Sequence, residues 1–209
     1  CHLRADPNGI WDPKLAVEHL PLLAGNGVQI IEEPLGPGDP ALAELSAKAR
    51  RLGMDLMACE SAPTLAAVER IVAGGLHAAV NVKLCRSGGF QRSLAIINRL
   101  RDSGLRFQIG CTLGESGLLS AAGRALGLLC GDAFTCDGAY DRFLLAQNLT
   151  THDVGFGYGG IAGPLPGPGL GVEVDRRRLA QLASHSFIIP GPGRPVVSDG
   201  RPSHTGAQR

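Results

Sequence analysis

The chain has 209 residues, of which 19% are charged and 4% aromatic, and a formal net charge of +1. That length can bury a sizeable core and is most simply one domain. The balanced charge excludes a strongly basic nucleic-acid surface, and no apolar run is long enough to cross a bilayer as a helix, so neither nucleic acid nor membrane is expected as a partner.

Apolar β-like runs alternate with amphipathic helical stretches along the chain. The opening HLRAD reads as a strand. A domain rarely begins inside a core strand, and the first residue is Cys1 rather than Met, so the chain is expected to be a piece of a longer protein. With no leader read at its start, a cytoplasmic location is expected. A helix is predicted over 12–24, where Leu15, Ala16, His19, Leu20 and Leu23 recur at helical spacing and Asp12–Pro13 form a cap and first-turn pair. The run VQII follows, then the loop LGPGDP and a helix over 41–52 ended by Gly53. DLMA precedes a helix over 62–74, and AAVNVKL precedes one over 91–102. RFQIG leads to a helix of small residues over 116–129, and DAFTC closes the series. From Thr150 the pattern breaks into a Gly/Pro-rich stretch, one short helix and FIIP, and residues 191–209 read as a disordered tail.

Six strands and about five helices in βα order predict an α/β fold with a parallel sheet and right-handed crossovers. An open doubly wound sheet would satisfy the same order. A barrel is favoured because polar residues end so many successive strands, whereas an open sheet gathers them at one switch point. These residues are Asp6, Glu32, Cys59 and Lys83, spaced by roughly 25 residues, about one βα unit. In a parallel barrel the carboxyl ends of all strands converge on one mouth. Asp6 and Glu32 are hard oxygen donors suited to Mg²⁺ or Mn²⁺. A single carboxylate at a strand end is commonly a cap or a loop ion pair; two acids and a lysine at matching positions weigh against that bland account. Lys83 ends an otherwise apolar run, so it is either a lysine reaching to solvent or an amine whose pKa is lowered by a nearby cation to move protons at neutral pH. Cys59 breaks the acid series, and no second cysteine or histidine has ligand spacing to it.

The six cysteines include no CxxC pair, and buried thiols are expected in place of a disulfide framework. The six histidines form no ligand pair and read as incidental. The glycine clusters RSGGF and GFGYGGIAG lack a Walker lysine or a GxGxxG after a strand, and read as turns and caps.

The segments DPN (6–8), IEEP (31–34), ACES (58–61), NVKLCRSGG (81–89), GCTLGES (110–116) and GPGLGVEVD (167–175) together resemble the enolase superfamily, in its muconate-lactonizing and dipeptide-epimerase branch. The resemblance implies a partial TIM-type (β/α)₇β barrel over residues 1–150, truncated at its N-terminal side, with 151–190 returning toward a capping region. It implies removal of the proton alpha to a small-molecule carboxylate through a Mg²⁺-stabilised enediolate, a chemistry run with a lysine or histidine base. It makes Asp6 and Glu32 metal ligands and Lys83 the acid/base. Asn8, Glu115 and Asp137 become substrate-side residues, and the parent is expected to be a homo-oligomer. The third ligand's place holds Cys59, where the branch has an acid, and a soft sulfur is a poor partner for Mg²⁺. The adjacent Glu60 is not expected to replace it cleanly, because successive strand residues face opposite sides. The branch's K-x-K strand would precede Asp6 and is not in this chain. The expected function is therefore a Mg²⁺-dependent racemase, epimerase or cycloisomerase; the alternative is a catalytically impaired, non-enzymatic barrel.

Overall fold

A computed structural model describes residues 3–139 and 141–185 of the chain. Six parallel strands lie in chain order in one sheet: β1 (Leu3–Ala5), β2 (Val28–Glu32), β3 (Asp55–Ala58), β4 (Ala79–Lys83), β5 (Arg106–Gly110) and β6 (Thr135–Cys136). Between them run α1 (Pro13–Gly25), α2 (Leu42–Arg51), α3 (Leu65–Gly74), the one-turn α4 (Leu84–Ser87), α5 (Phe90–Ser103) and α6 (Gly117–Leu129). After β6 come α7 (Asp141–Leu144), a 3₁₀ turn (Tyr158–Gly160) and α8 (Arg176–Leu182).

The helix starts follow side-chain chemistry. Asp12 caps α1 by accepting the Leu15 amide at 2.9 Å, and Pro13 fills the first turn, as the sequence predicts. In α3 the expected start at 62 moves to Leu65, because the Thr64 hydroxyl accepts the Ala67 amide and fixes the cap there. The short α4 is not foreseen by periodicity. It is one turn long because Gly88 and Gly89 follow it with φ of 85° and 102°, a backbone that glycine tolerates.

The sheet is curled. In a flat sheet with strands about 4.8 Å apart, β1 and β6 would be roughly 24 Å apart. Instead Arg4 Nη2 on β1 lies 4.0 Å from Asp137 Oδ2, just past β6. A cavity of about 600 Å³ inside the curl is lined by Arg4, Ile30, Asp55, Arg106 and Thr135, from five different strands. Arg106 on β5 pairs with Asp55 on β3 at 2.7 Å across its floor. This is the arrangement of a partial TIM-type barrel, as expected.

Both faces of the sheet are covered, as parallel strands require. Outside the curl, Val80, Val82 and Ile109 pack against Val68, Ile96, Ile97, Leu100 and Leu126 of the helices. A second cluster joins Ile31 and Leu56 to Ala16, Leu20, Leu45 and Ala49 of α1 and α2. Inside, Ile30, Met57 and Ala79 form a small inner layer. The stretch after β6 returns to the barrel: Asn148 Oδ1 accepts the Gly117 amide at the start of α6 at 2.7 Å, and Thr150 bridges Val174 in antiparallel fashion. The tail expected over 191–209 lies outside the described residues.

All five described cysteines are free. Cys59 and Cys130 are buried and Cys111 is half-buried, but Cys85 and Cys136 are exposed. The expectation of buried thiols thus holds for Cys59 and Cys130 and in part for Cys111. It fails for Cys85, which lies on α4 beyond its strand, and for Cys136, whose strand is only two residues long.

Candidate active site at the strand ends

Because every strand is parallel, each carboxyl end opens on the same rim. Asp6 directly follows β1, Glu32 ends β2, Cys59 follows β3 and Lys83 ends β4. Cys111 to Glu115 follow β5, and Asp137 follows β6. Lys83 is the common neighbour: its charge acts on Asp6, Cys59, Cys111, Glu115 and Asp137, groups brought by four other strand ends.

Glu32 is buried and accepts Asn81 Nδ2 at 2.6 Å. Asn81 lies two residues before Lys83 on the same face of β4, so one strand presents both the amide that orients the acid and the amine beside it. Its amide fits because residue 110 on β5 is glycine: a Cβ there would lie 2.8 Å from Asn81 Cγ. Asp6 Oδ1 accepts the Asn8 amide at 2.9 Å, and Asn8 sits at φ 53°, closing a tight turn over the acid. Desolvation and then the Glu32 and Glu60 carboxylates raise the Asp6 pKa, against the opposing Asn8 amide and Lys83. Three carboxylates therefore share one field at this corner.

Glu33, the second acid of the IEEP segment, organises the turn beyond β3. It is buried at φ 36°, and its Oε2 accepts the Cys59 amide at 2.6 Å and the Ser61 amide at 3.3 Å, while Oε1 accepts the Ser61 hydroxyl. Its backbone carbonyl accepts the Gly9 amide at 2.6 Å, tying the Asp6 loop to the same residue.

At the third corner Cys59 is fully buried, and burial followed by the nearby Glu32 pushes its thiol pKa far up, leaving it protonated at neutral pH. Arg86 on α4 covers it: Nη1 donates to Cys59 Sγ at 2.9 Å and Nη2 to Glu60 Oε1 at 2.7 Å. The expectation that Glu60 faces away from residue 59 is corrected by the structure. β3 ends at Ala58, so the pleat no longer alternates beyond it, and Glu60 Oε1 lies 3.5 Å from Cys59 Sγ on the same side. Glu60 is nevertheless engaged by Arg86.

The protein groups around Lys83 hold its pKa higher than usual, whereas the lowering read from the sequence depends on a nearby cation. Burial draws the Lys83 pKa down, but the Cys59 and Glu32 side chains more than offset that, with Arg86 opposing. Glu115 reaches back over the rim, where its Oε1 accepts the Thr112 amide at 2.7 Å, and burial raises its pKa. Asp137 turns inward: Oδ2 accepts Gln108 Nε2 at 2.7 Å and Oδ1 the Cys111 amide at 3.0 Å, and burial raises its pKa as well. Both its oxygens are thus engaged in joining β5 to the end of β6. The structure therefore brings Asp6, Glu32, Cys59 and Lys83 together, with Glu115 and Asp137 in the same field. Asn8 is placed in the loop over Asp6. Sequence reasoning misses Glu33, Asn81 and Arg86; the signals available for them are the doubled acid, the i, i+2 spacing to Lys83, and the cation one helical turn beyond it.

A divalent ion of the kind the resemblance implies would find two hard donors here, Asp6 and Glu32. The third donor is a thiol under a guanidinium. Among the described residues no group of three or more His, Cys, Asp or Glu side chains is arranged to hold a metal ion. The donor set fits Mg²⁺ at two corners and does not fit it at the third.

A family model described as "Enolase C-terminal domain-like" matches residues 2–178. A hydrophobic dipeptide epimerase from Flavobacteria bacterium (strain MS024-2A) is 35% identical over 125 residues, covering 59% of this chain and 34% of that protein. A chloromuconate cycloisomerase from Pseudomonas putida is 30% identical over 178 residues, covering 85% of this chain and 47% of that protein. The crystal structure of 2-chloromuconate cycloisomerase from Rhodococcus opacus 1CP matches with a TM-score of 0.76 and 30% identity, over 87% of this chain and 48% of that one. The chain spans about half the length, or less, of the relatives it matches.

Proposed function

The chain belongs to the enolase C-terminal domain-like family, and on that premise we propose that it carries half of the active site of an isomerase or lyase acting on a small carboxylate. The reaction class is transfer of the proton alpha to the carboxylate, as in racemisation, epimerisation or cycloisomerisation. One observation carries the reading: Lys83 stands where five other strand ends meet, beside Glu32 and within the field of Asp6.

Each residue has a role in that chemistry. Lys83, held with its proton favoured, delivers a proton to the α-carbon, and the same amine removes it in the reverse direction. Glu33 and Asn81 hold the acids and the β3 turn in place, so the mouth is set before substrate arrives. Glu115 faces the substrate from the rim. Mg²⁺, or Mn²⁺ in its place, would sit at Asp6 and Glu32 and supply positive charge to a developing oxyanion. Because the third corner does not fit it, the proton-transfer role of Lys83 is argued without it.

A second reading is favoured by that same corner. Cys59 beneath Arg86 is what a barrel would show if it kept the fold and lost the chemistry. The two are separated by α-proton exchange in D₂O with Mg²⁺ or Mn²⁺ added, on acyl amino acids, dipeptides and lactones, using the longest natural form of the chain. Exchange that disappears in Lys83→Met supports the isomerase reading. No exchange with any of these carboxylates supports the impaired barrel.

A further inference from the structure

The third corner of the mouth holds a fixed cation. Arg86 lies on α4, one turn beyond Lys83, and its guanidinium spans the two side chains that follow β3, at 2.9 Å from Cys59 Sγ and 2.7 Å from Glu60 Oε1. Glu60 Oε2 is buried and has no partner, so the carboxylate is held by one oxygen only. A guanidinium stays protonated at any pH the fold survives, and its planar fork holds a carboxylate firmly.

We propose that Arg86 governs the divalent-metal affinity of this mouth: it engages Glu60, covers Cys59 and repels an incoming cation, so that Asp6 and Glu32 bind Mg²⁺ or Mn²⁺ weakly until its charge is removed. The inference rests on the reading of Asp6 and Glu32 as a metal pair. Sulfur at position 59 is poorly matched to these ions, so it supplies little of the missing coordination. Glu60, in contrast, is a hard donor already turned to the Cys59 side, and its charge already reaches Asp6. Removing the guanidinium both lifts the repulsion and frees an oxygen ligand within the same field.

The test is Mn²⁺ binding read by the electron paramagnetic resonance signal of the free ion, with Mg²⁺ as competitor. It is made on the chain as it stands and on Arg86→Met, Arg86→Lys, Cys59→Asp and the double variant Arg86→Met/Asp6→Asn. Circular dichroism confirms that each is folded, and Arg86→Gln, which keeps an amide beside Glu60, replaces Arg86→Met should the latter not fold. Arg86→Met is expected to tighten Mn²⁺ about tenfold or more, while Arg86→Lys, which keeps the charge, gains less than about threefold. Unchanged affinity in the folded, uncharged variant, with a gain in Cys59→Asp, would overturn the inference. Equal gains in Arg86→Met and Arg86→Lys would overturn it too, since geometry and not charge would then be responsible. A gain that survives Asp6→Asn would instead overturn the reading of Asp6 as a ligand.

Discussion

His77 gives the chain an acid-sensitive joint that is separate from the mouth. It lies in the link between α3 and β4, 9% exposed, with Nδ1 buried and unpartnered. The link is gripped by α2: Ser46 donates its hydroxyl to the Leu76 carbonyl at 2.7 Å, and Arg50 donates to the Gly75 carbonyl at 2.7 Å. Burial, and then the Arg50 charge, lowers the His77 pKa from 6.5 to about 4. The unfolded chain therefore binds a proton that the folded chain refuses between those two values. Stability rises with pH across that window and is lost as pH falls through it. At about 1.4 kcal/mol per pH unit, the gap amounts to roughly 3 kcal/mol between neutral pH and pH 4. Urea unfolding followed from pH 7.5 to 4, on the chain and on His77→Asn, isolates this contribution, because carboxylates common to both cancel. The chain should lose roughly 3 kcal/mol more than the variant, with the curves diverging below pH 6.5. Parallel curves would refute the reasoning, and a divergence above pH 7 would point to another group.

Glu33→Gln removes the charge that holds the Cys59 and Ser61 amides, and should destabilise the chain by about 2–3 kcal/mol in urea unfolding; a loss below about 0.5 kcal/mol would show that the turn holds itself. Gly110→Ala forces a Cβ onto the Asn81 amide, and should cost about 1–3 kcal/mol while Gly104→Ala, at φ 72° with no atom within 4 Å, costs about 1 kcal/mol for its backbone alone. Equal losses at the two glycines would remove the argument for close approach at Asn81. Maleimide labelling mapped by mass spectrometry should modify Cys85 and Cys136 in the native chain, and reach Cys59 and Cys130 only in denaturant. Native labelling of Cys59 at the rate of Cys85 would contradict its full burial beneath Arg86.

The strand–helix order was legible because burial on both faces leaves near-continuous apolar runs such as AVNV, and because Asp12, Pro13 and the glycines punctuate them. The strand-end series Asp6, Glu32, Cys59 and Lys83 was legible for a related reason: in a parallel sheet one-dimensional spacing maps onto one rim. What escaped the sequence depends on the chain leaving regular structure. Glu60 reads as pointing away from Cys59 only while the pleat continues, and β3 stops at Ala58. Arg86 is not singled out by its spacing, and it is a one-turn helix, ended by two glycines, that brings it over the end of β3. His77 reads as incidental because its importance lies in what it lacks, a partner for Nδ1, and no pattern of residue types records an absence.

The first two of these, Glu60 and Arg86, explain why the departure at Cys59 cannot be judged as a single substitution. An acid exchanged for a thiol on a strand end would remove one ligand and leave the remaining groups unbalanced around two carboxylates. Here the buried thiol accepts from Arg86, Arg86 pairs with Glu60, and Glu33 fixes the backbone beneath both. Buried charge is tolerated when it is paired and hydrogen-bonded, and Arg86 meets that condition for Glu60 through Oε1 while Oε2 is left without a partner. Residues 59, 60 and 86 therefore act as one unit whose net charge sets what the mouth can hold. Changing Cys59 to an acid while Arg86 remains would add a second carboxylate to the guanidinium's reach as readily as a third ligand to Asp6 and Glu32. The two positions should be strongly non-additive in Mn²⁺ affinity, with the double substitution exceeding the product of the single gains.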